Sequence, residues 1–140
     1  MPPNRTVSVV VPVYNSEPNL EELAARLAEA LPTVSRSWEV ILVNDGSRDR
    51  SWEVIERLSG KYAFVRGINL MRNYGQHNAL LCGIRAACHD LIVTMDDDLQ
   101  HPPEAIGPML DKLDEGYDVV YAPPCLLYTS PSPRDRTRSR

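Results

Sequence analysis

The stretch LIVTMDDD, residues 91–98, runs from a short apolar segment straight into three consecutive carboxylates. Its first five residues are typical of a strand that is buried on both faces of a parallel sheet. The stretch VSVVVPV at residues 7–13 has the same character, and apolar runs at 38–43, 64–70 and 118–121 indicate three more strands. The sequence therefore predicts a buried sheet of five strands.

Apolar residues at helical spacing fill the intervals between these strands. Leucines and alanines recur three or four positions apart in residues 20–31, and we expect Pro32 to end that helix. Similar patterns predict helices around residues 52–58, 76–88 and 103–113. Because strands alternate with helices, we expect an α/β fold with a Rossmann-like, mostly parallel sheet and helices on both faces.

Ligands of such sheets bind beyond the carboxyl ends of the strands, near the point where the strand order reverses. Polar loops follow the first four predicted strands, at residues 14–17, 44–47, 72–78 and 96–101. The opposite ends of the strands show no comparable concentration of functional groups. The sequence therefore predicts one functional site, at the carboxyl edge of the sheet.

The acidic triplet is the most informative of these loops. Adjacent carboxylates repel each other, and a divalent cation relieves that repulsion. Residues i and i+2 of an extended chain project to the same side, so Asp96 and Asp98 could face one ion while Asp97 points elsewhere. Gln100 could add a neutral oxygen, and oxygen ligands favour Mg²⁺ or Mn²⁺. The alternative is a solvated acidic turn in which Asp98 caps the next helix.

The other loops offer groups that suit a nucleotide. Asp45 could accept hydrogen bonds from a base or ribose, or it could simply belong to a turn. Tyr14 could stack on a base, or be an ordinary tyrosine at the rim. Arg72 supplies a fixed positive charge beside a helix N-terminus, where a diphosphate could bind. For His77 and His101 a structural role is at least as plausible as a catalytic one.

Composition limits the classes of function. The 140 residues suffice for one domain, and the net charge of −4 argues against a nucleic-acid partner. Three cysteines without paired spacing indicate free thiols in a reducing compartment. We expect a soluble, cytosolic chain, because no segment resembles a signal peptide or a membrane span.

Residues 125–140 differ in character from the preceding 124. They contain four arginines and two Ser-Pro steps, without hydrophobic periodicity. We therefore expect a domain over residues 1–124 and a disordered basic tail over 125–140 that is foreign to the domain.

Three motifs resemble family 2 glycosyltransferases, namely VVVPVYN at residues 9–15, VNDGS at 43–47 and MDDDLQHPPE at 95–104. A fourth, NLMRNYGQHNA at 69–79, is similar to the polyprenyl-phosphate sugar transferases of that family. The resemblance covers residues 7 to about 122. It implies a GT-A fold and the transfer of a sugar, with inversion, from a UDP- or GDP-linked donor to a lipid phosphate.

The resemblance also implies roles for individual residues. The family often has Glu directly after the Tyr-Asn pair, where this chain has Ser16, so Glu17 is a weaker candidate. No catalytic residue is assigned. The expected substrate-binding residues are Pro12, Tyr14, Glu17, Asp45, Arg72 and Asp97, and the expected ligands of Mg²⁺ or Mn²⁺ are Asp96, Asp98 and Gln100.

Two other classes of protein fit the sequence less well. A receiver domain would need an acidic pair after the first strand, and a dinucleotide-binding dehydrogenase would need a glycine-rich turn there. Residues 14–16 are instead Tyr-Asn-Ser. The remaining alternative is a non-catalytic fragment or pseudoenzyme that binds a nucleotide sugar. Membrane association, at the cytoplasmic face, is expected only of a full-length parent protein.

Overall fold

The computed structural model describes residues 5–89, 91–97, 106–114, 119–122 and 125–129. Strands alternate with helices through most of these ranges. The strands are β1 (Thr6–Val13), β2 (Ser37–Asp45), β3 (Val65–Leu70), β4 (Leu91–Thr94), β5 (Val119–Ala122) and β6 (Cys125–Thr129). The helices are α1 (Leu20–Val34), α2 (Ser51–Lys61), α3 (Gln76–Ala86) and α4 (Ile106–Asp114), with a short 3₁₀ helix at Glu17–Asn19 before α1.

The strands form one sheet in the order β3-β2-β1-β4-β6-β5. The strands from β3 to β4 are parallel, whereas β6 runs antiparallel to both β4 and β5. The chain builds outward from β1 to β3 and then returns to place β4 on the other side of β1. The strand order therefore reverses between β1 and β4, and the predicted α/β fold with a mostly parallel sheet is confirmed.

Both faces of β1 are covered, as its unbroken apolar sequence predicted. Val9 and Val11 belong to the larger core, which they share with residues of α1, α2 and α4. Val10 belongs to the smaller core on the other face, beneath α3. A Cβ at Gly83 of α3 would lie 2.4 Å from Val10 Cγ1, so the glycine allows this helix to pack closely on the strand.

Helix α1 does not end at Pro32, in contrast to the prediction, but continues to Val34. The Leu31 carbonyl accepts hydrogen bonds from the Ser35 N–H at 3.0 Å and from the Ser35 hydroxyl at 2.9 Å. These contacts close the last turn on the far side of the proline, whose own missing N–H removes only one hydrogen bond. The buried Leu31 also anchors this turn in the core.

Cys125–Thr129, which were expected to belong to the tail, form β6, and the domain boundary expected after residue 124 stays a prediction. This segment is CLLYT, which is apolar and suited to a strand, and it pairs with the edge of β4 that β1 leaves open. Residues 130–140 lie outside the described residues, so the expectation for them stays a prediction.

Two further expectations concern membrane-spanning helices and the state of the cysteine thiols. No helix in the described ranges has both the length and the hydropathy that a bilayer span requires. Cys82 and Cys88 are free thiols, in agreement with the sequence.

Candidate functional site

Four loops meet at the carboxyl edge of the sheet, and we number them after the strands β1 to β4 that they follow. They are the first loop (14–19), the second loop (46–50), the third loop (71–75) and the fourth loop, described for residues 95–97. A cavity of about 340 Å³ opens between the first, third and fourth loops, beside the end of β2 and where the strand order reverses. It is lined by Pro12, Val13, Tyr14, Asp45, Asn73, Gln76, Asp96 and Asp97.

Asp45 ends β2 and is only 3% exposed. Its Oδ1 accepts a hydrogen bond from the Tyr74 N–H at 2.7 Å, so the third loop orients this carboxylate. The next residue, Gly46, has φ +68° and touches the third loop, where a Cβ would lie 2.3 Å from the Asn73 nitrogen. Asp45 and Gly46 together hold the third loop against the end of β2.

Asp96 and Asp97 both line the cavity but bind different elements. Asp96 Oδ1 accepts a hydrogen bond of 3.0 Å from the Gln76 side chain at the start of α3. Asp97 Oδ2 accepts one from the Tyr14 N–H at 3.2 Å and a second from the Ser16 hydroxyl. The two neighbouring carboxylates therefore bind elements on different sides of the cavity, Asp96 the start of α3 and Asp97 the first loop.

The first loop is fastened to the second loop and to the start of α2. Asn15 has φ 51°, and its N–H donates to Ser47 Oγ at 3.0 Å while its Oδ1 accepts from the Arg48 N–H at 2.8 Å. The Ser16 N–H donates to Ser51 Oγ at 3.0 Å. An asparagine tolerates this left-handed conformation better than most residues, and these contacts maintain it.

Glu17, in the 3₁₀ helix before α1, contacts the segment that leads into α2 and does not line the cavity. Its Oε1 accepts from the Arg50 N–H at 3.1 Å, and its own N–H donates to Asp49 Oδ2 at 3.2 Å. Burial opposes ionisation of Asp49, but hydrogen bonds from Ser51 and from the Glu17 N–H outweigh it, so the pKa of Asp49 is lowered. The structure thus places Glu17 in a capping arrangement, in a separate surface groove between α1 and α2.

Arg72 lies beside the cavity rather than in its lining. It lines an adjoining cavity of about 610 Å³ that shares Tyr14 and Asn73 with the first one. Its guanidinium lies 5.3 Å from the centre of the Tyr74 ring, and Nε donates to Tyr74 Oη at 3.2 Å. That hydrogen bond raises the pKa of Arg72, which is fully exposed. His77 is exposed in the first turn of α3.

The donor set of the cavity suits a hard divalent cation, because carboxylate oxygens are the ligands that Mg²⁺ and Mn²⁺ prefer. Asp96 brings one predicted ligand to the cavity. Asp98 and Gln100, the other two, lie outside the described residues, as does His101. Within the described part of the chain no group of three or more His, Cys, Asp or Glu side chains could hold a metal ion. The complete ligand set therefore stays a prediction.

A second polar cluster lies at the amino edge of the sheet, where the sequence had predicted no concentration of functional groups. Glu39 of β2 is 7% exposed, and its Oε2 accepts from the Ser8 hydroxyl at 2.6 Å and the Cys88 N–H at 2.7 Å. Its Oε1 binds Arg66 Nη1 at 2.6 Å. The His89 N–H donates to Ser8 Oγ at 3.2 Å. The cluster links β1, β2, β3 and the segment that leads into β4.

These contacts fix the ionisation of both charged groups. Burial raises the pKa of Glu39, but hydrogen bonds from Ser8, the Cys88 N–H and Arg66 outweigh it, so the net pKa is lowered. The hydrogen bond to Glu39 raises the pKa of Arg66. The cluster consists of groups that satisfy one another, and its role is to join strands rather than to bind a ligand.

Comparison with known sequences identifies the family. The profile of the family described as glycosyl transferase family 2 matches residues 8–138, which is nearly the whole chain. The chain belongs to family 2 of the glycosyltransferases. The predicted family and its α/β GT-A fold are therefore confirmed.

A curated relative narrows the resemblance. The undecaprenyl-phosphate 4-deoxy-4-formamido-L-arabinose transferase of Klebsiella pneumoniae (strain 342) is 46% identical to this glycosyltransferase over 120 residues. The match covers 85% of this chain but 37% of that protein. The chain thus spans little more than a third of the length of this relative.

Two solved structures share the fold. S. aureus TarS 1–349, in complex with UDP, superposes with a TM-score of 0.67 at 27% identity, over 81% of this chain and 34% of TarS. The mannosyltransferase PcManGT of Pyrobaculum calidifontis, in complex with GDP-Man and Mn²⁺, gives a TM-score of 0.62 at 24% identity. That match covers 69% of this chain and 28% of PcManGT, and it shows likeness of fold.

Sequence reasoning missed some residues of the site. Asn73 and Gln76 line the cavity, and Ser16 binds Asp97, but none was singled out as a candidate. Asn73 and Gln76 both belong to the motif NLMRNYGQHNA at residues 69–79, so their place in that motif is a signal that could have identified them. Ser16 is separated from Asp97 by 81 residues, and no local pattern reveals that contact.

Proposed function

We propose that the carboxyl edge of the sheet binds the nucleoside diphosphate of a nucleotide-sugar donor together with a divalent cation. The observation that carries this proposal is the convergence of Asp45, Asp96 and Tyr14 on one cavity at the point where the strand order reverses. The cavity lies in a chain of family 2, and TarS, which is 27% identical, binds UDP. These facts support UDP as the nucleotide portion of the donor, and GDP is the alternative that the resemblance to the family implies.

The proposed roles follow from where each side chain lies. Pro12, Tyr14 and Asp45 line the cavity and would contact the base and ribose, while Arg72 lies beside it and would face the diphosphate. Asp96, with Asp98 and Gln100, would hold Mg²⁺ or Mn²⁺. Glu17 is a poorer candidate for a substrate contact, because it binds the start of α2.

The proposed reaction of the whole protein transfers the sugar to a polyprenyl phosphate. This acceptor is supported by the curated relative, an undecaprenyl-phosphate transferase with 46% identity. A phosphate oxygen of the lipid would attack the anomeric carbon while the nucleoside diphosphate leaves from the opposite face, which inverts the configuration. Because the acceptor is already anionic, the reaction needs no strong general base.

Charge develops on the departing diphosphate as the glycosidic bond breaks. A bound divalent cation would supply electrostatic stabilisation of that charge. Arg72 would add a permanent positive charge from the third loop, and its hydrogen bond to Tyr74 holds the guanidinium in place before the reaction. The Tyr74 N–H in turn donates to Asp45, which links the diphosphate side of the site to the nucleotide side.

The 140-residue chain itself has a narrower proposed activity. It spans 37% of the Klebsiella relative, and acceptor-side groups of the family would lie in the remainder. We propose that this chain binds the donor nucleotide but transfers little or no sugar, so it would act as a nucleotide-sugar-binding fragment. Membrane association, at the cytoplasmic face, is proposed for a full-length protein.

Isothermal titration calorimetry with UDP and GDP, each in Mn²⁺ and in EDTA, tests the proposal. We expect one of the two nucleotides to bind in Mn²⁺ at least about tenfold more tightly than in EDTA, as expected if a cation bridges protein and phosphate. Asp96→Asn should remove most of that difference. If neither UDP nor GDP binds, the proposed function is refuted. Sugar transfer to polyprenyl phosphate by the 140-residue chain would refute the proposal that this chain transfers little or no sugar.

A further inference from the structure

Ser16 lies where three parts of the site meet. It is 7% exposed, and its N–H donates to Ser51 Oγ at the start of α2 at 3.0 Å. Its hydroxyl donates to Asp97 Oδ2 in the fourth loop. The Tyr14 N–H donates to the same carboxylate oxygen at 3.2 Å. One oxygen of Asp97 thus binds two donors of the first loop.

The first loop depends on such contacts for its conformation. Asn15, between the two donors, has φ 51°, a left-handed conformation that asparagine tolerates better than most residues and that its contacts with the second loop maintain. Tyr14 is 44% exposed, so packing restrains its ring only in part. It lines both cavities at the carboxyl edge. The position of the Tyr14 ring therefore follows from the backbone contacts on either side of it.

We propose that Ser16 and Asp97 form a positioning pair, which holds the first loop against the fourth and so fixes Tyr14 where it contacts the nucleotide. This inference rests on the proposed function of the cavity. Asp96 and Asp97 then differ in their roles. Asp96 turns toward α3 and belongs to the proposed cation site, whereas Asp97 acts through the first loop.

A positioning role for Ser16 and a role in the cation site predict different effects of Mn²⁺ on nucleotide binding. If Ser16 acts through Tyr14, its loss weakens nucleotide binding by the same factor whether or not a cation is present. If Ser16 acts instead through the cation site, its loss reduces the ratio of the affinities measured in Mn²⁺ and in EDTA. That ratio therefore separates positioning of the first loop from a change in the metal site.

The test measures UDP and GDP affinity in Mn²⁺ and in EDTA for Ser16→Ala, Ser16→Thr and a control, Ser59→Ala. Ser59 is exposed on α2, and its hydroxyl binds only the Glu56 carbonyl among the contacts described. Ser16→Ala should bind about tenfold more weakly in both conditions, because a hydrogen bond to a carboxylate is lost. Ser16→Thr, which keeps the hydroxyl, should recover affinity to within about twofold of the unsubstituted chain, and Ser59→Ala should not differ from it.

A double variant tests whether the two side chains act through one contact. If Ser16→Ala and Asp97→Asn break the same contact, the double variant should bind no more than about twofold more weakly than the weaker single variant. Unchanged affinity in Ser16→Ala, a lowered Mn²⁺-to-EDTA ratio, or additive effects would overturn the positioning pair while leaving the proposed function intact. Failure of the unsubstituted chain to bind either nucleotide would overturn both.

Discussion

The two edges of the sheet treat buried carboxylates in opposite ways. At the amino edge, Glu39 binds the guanidinium of Arg66 and receives two further hydrogen bonds, so its charge is neutralised within the protein. At the carboxyl edge, the buried Asp45 receives a hydrogen bond from the Tyr74 backbone N–H. A neutral donor orients a carboxylate without cancelling its charge, so this contact leaves the charge of Asp45 available to a ligand.

The difference separates a structural network from a binding site. Both edges contain buried acids, and burial alone would not distinguish them. The distinguishing features are the partners, a guanidinium for Glu39 and a backbone N–H for Asp45, and the presence of a cavity of about 340 Å³ at the carboxyl edge. Substitution of the amino-edge carboxylate should therefore change stability, and substitution of a carboxyl-edge carboxylate should change nucleotide binding.

The largest expected effect comes from Gly46, which joins the second loop to the third. In Gly46→Ala the new Cβ would lie 2.3 Å from the Asn73 nitrogen, at a φ of +68° that alanine disfavours. We expect the free energy of unfolding to fall by about 3 kcal/mol, as strain and overpacking add. Urea denaturation followed by circular dichroism measures this change.

The control for Gly46 is Gly60→Ala on α2, where a new Cβ would meet nothing within 4 Å. It should not lower stability, because alanine favours helix over glycine. Equal stability of the two variants would contradict the close contact between the second and third loops.

The next effect concerns the amino edge. Glu39→Gln keeps the shape of the side chain but removes the charge that Arg66 binds. We expect a loss of about 2 kcal/mol in the free energy of unfolding at pH 7, because a charge-assisted hydrogen bond inside a network is lost. The matched control is Glu53→Gln on the exposed face of α2, which should change stability by less than about 0.5 kcal/mol.

The pH dependence of the Glu39→Gln effect has a definite sign. The pKa of Glu39 in the folded chain is lower than its ordinary value of 4.5. Its stabilising contribution is therefore complete above about pH 4.5 and is lost as the pH falls through the lowered value. Denaturation curves of the two chains should converge in that acidic range, and a difference independent of pH would show that the charge of Glu39 does not matter.

Much of the fold could be read from the sequence because its signals are local. The apolar runs of β1 and β4 predicted buried strands, and the polar residues that follow them marked the edge where Asp45, Asp96 and Asp97 meet. The predicted end of α1 at Pro32 was wrong, because the helix continues to Val34 and hydrogen bonds from Ser35 to the Leu31 carbonyl close its last turn.

Contacts between distant residues could not be predicted in the same way. Glu39 binds Arg66 across 27 positions and the Cys88 N–H across 49, and each of these residues looks unremarkable in its own segment. Ser16 was noted as a departure from the family pattern, but its bond to Asp97 depends on β1 and β4 being adjacent. Such networks follow from strand order, which local patterns do not specify.

The most direct test compares Asp45→Asn with Glu39→Gln by titration calorimetry with UDP and GDP in Mn²⁺. The amide oxygen introduced by Asp45→Asn would still accept the Tyr74 N–H, so only the charge at the cavity changes in that variant. The account predicts that Asp45→Asn weakens nucleotide binding by about tenfold, because the charge-assisted hydrogen bond between the Asp45 carboxylate and the nucleotide is lost. Glu39→Gln should bind the nucleotide like the unsubstituted chain. Equal losses in both variants, or no loss in Asp45→Asn, would contradict the assignment of the carboxyl edge as the binding site.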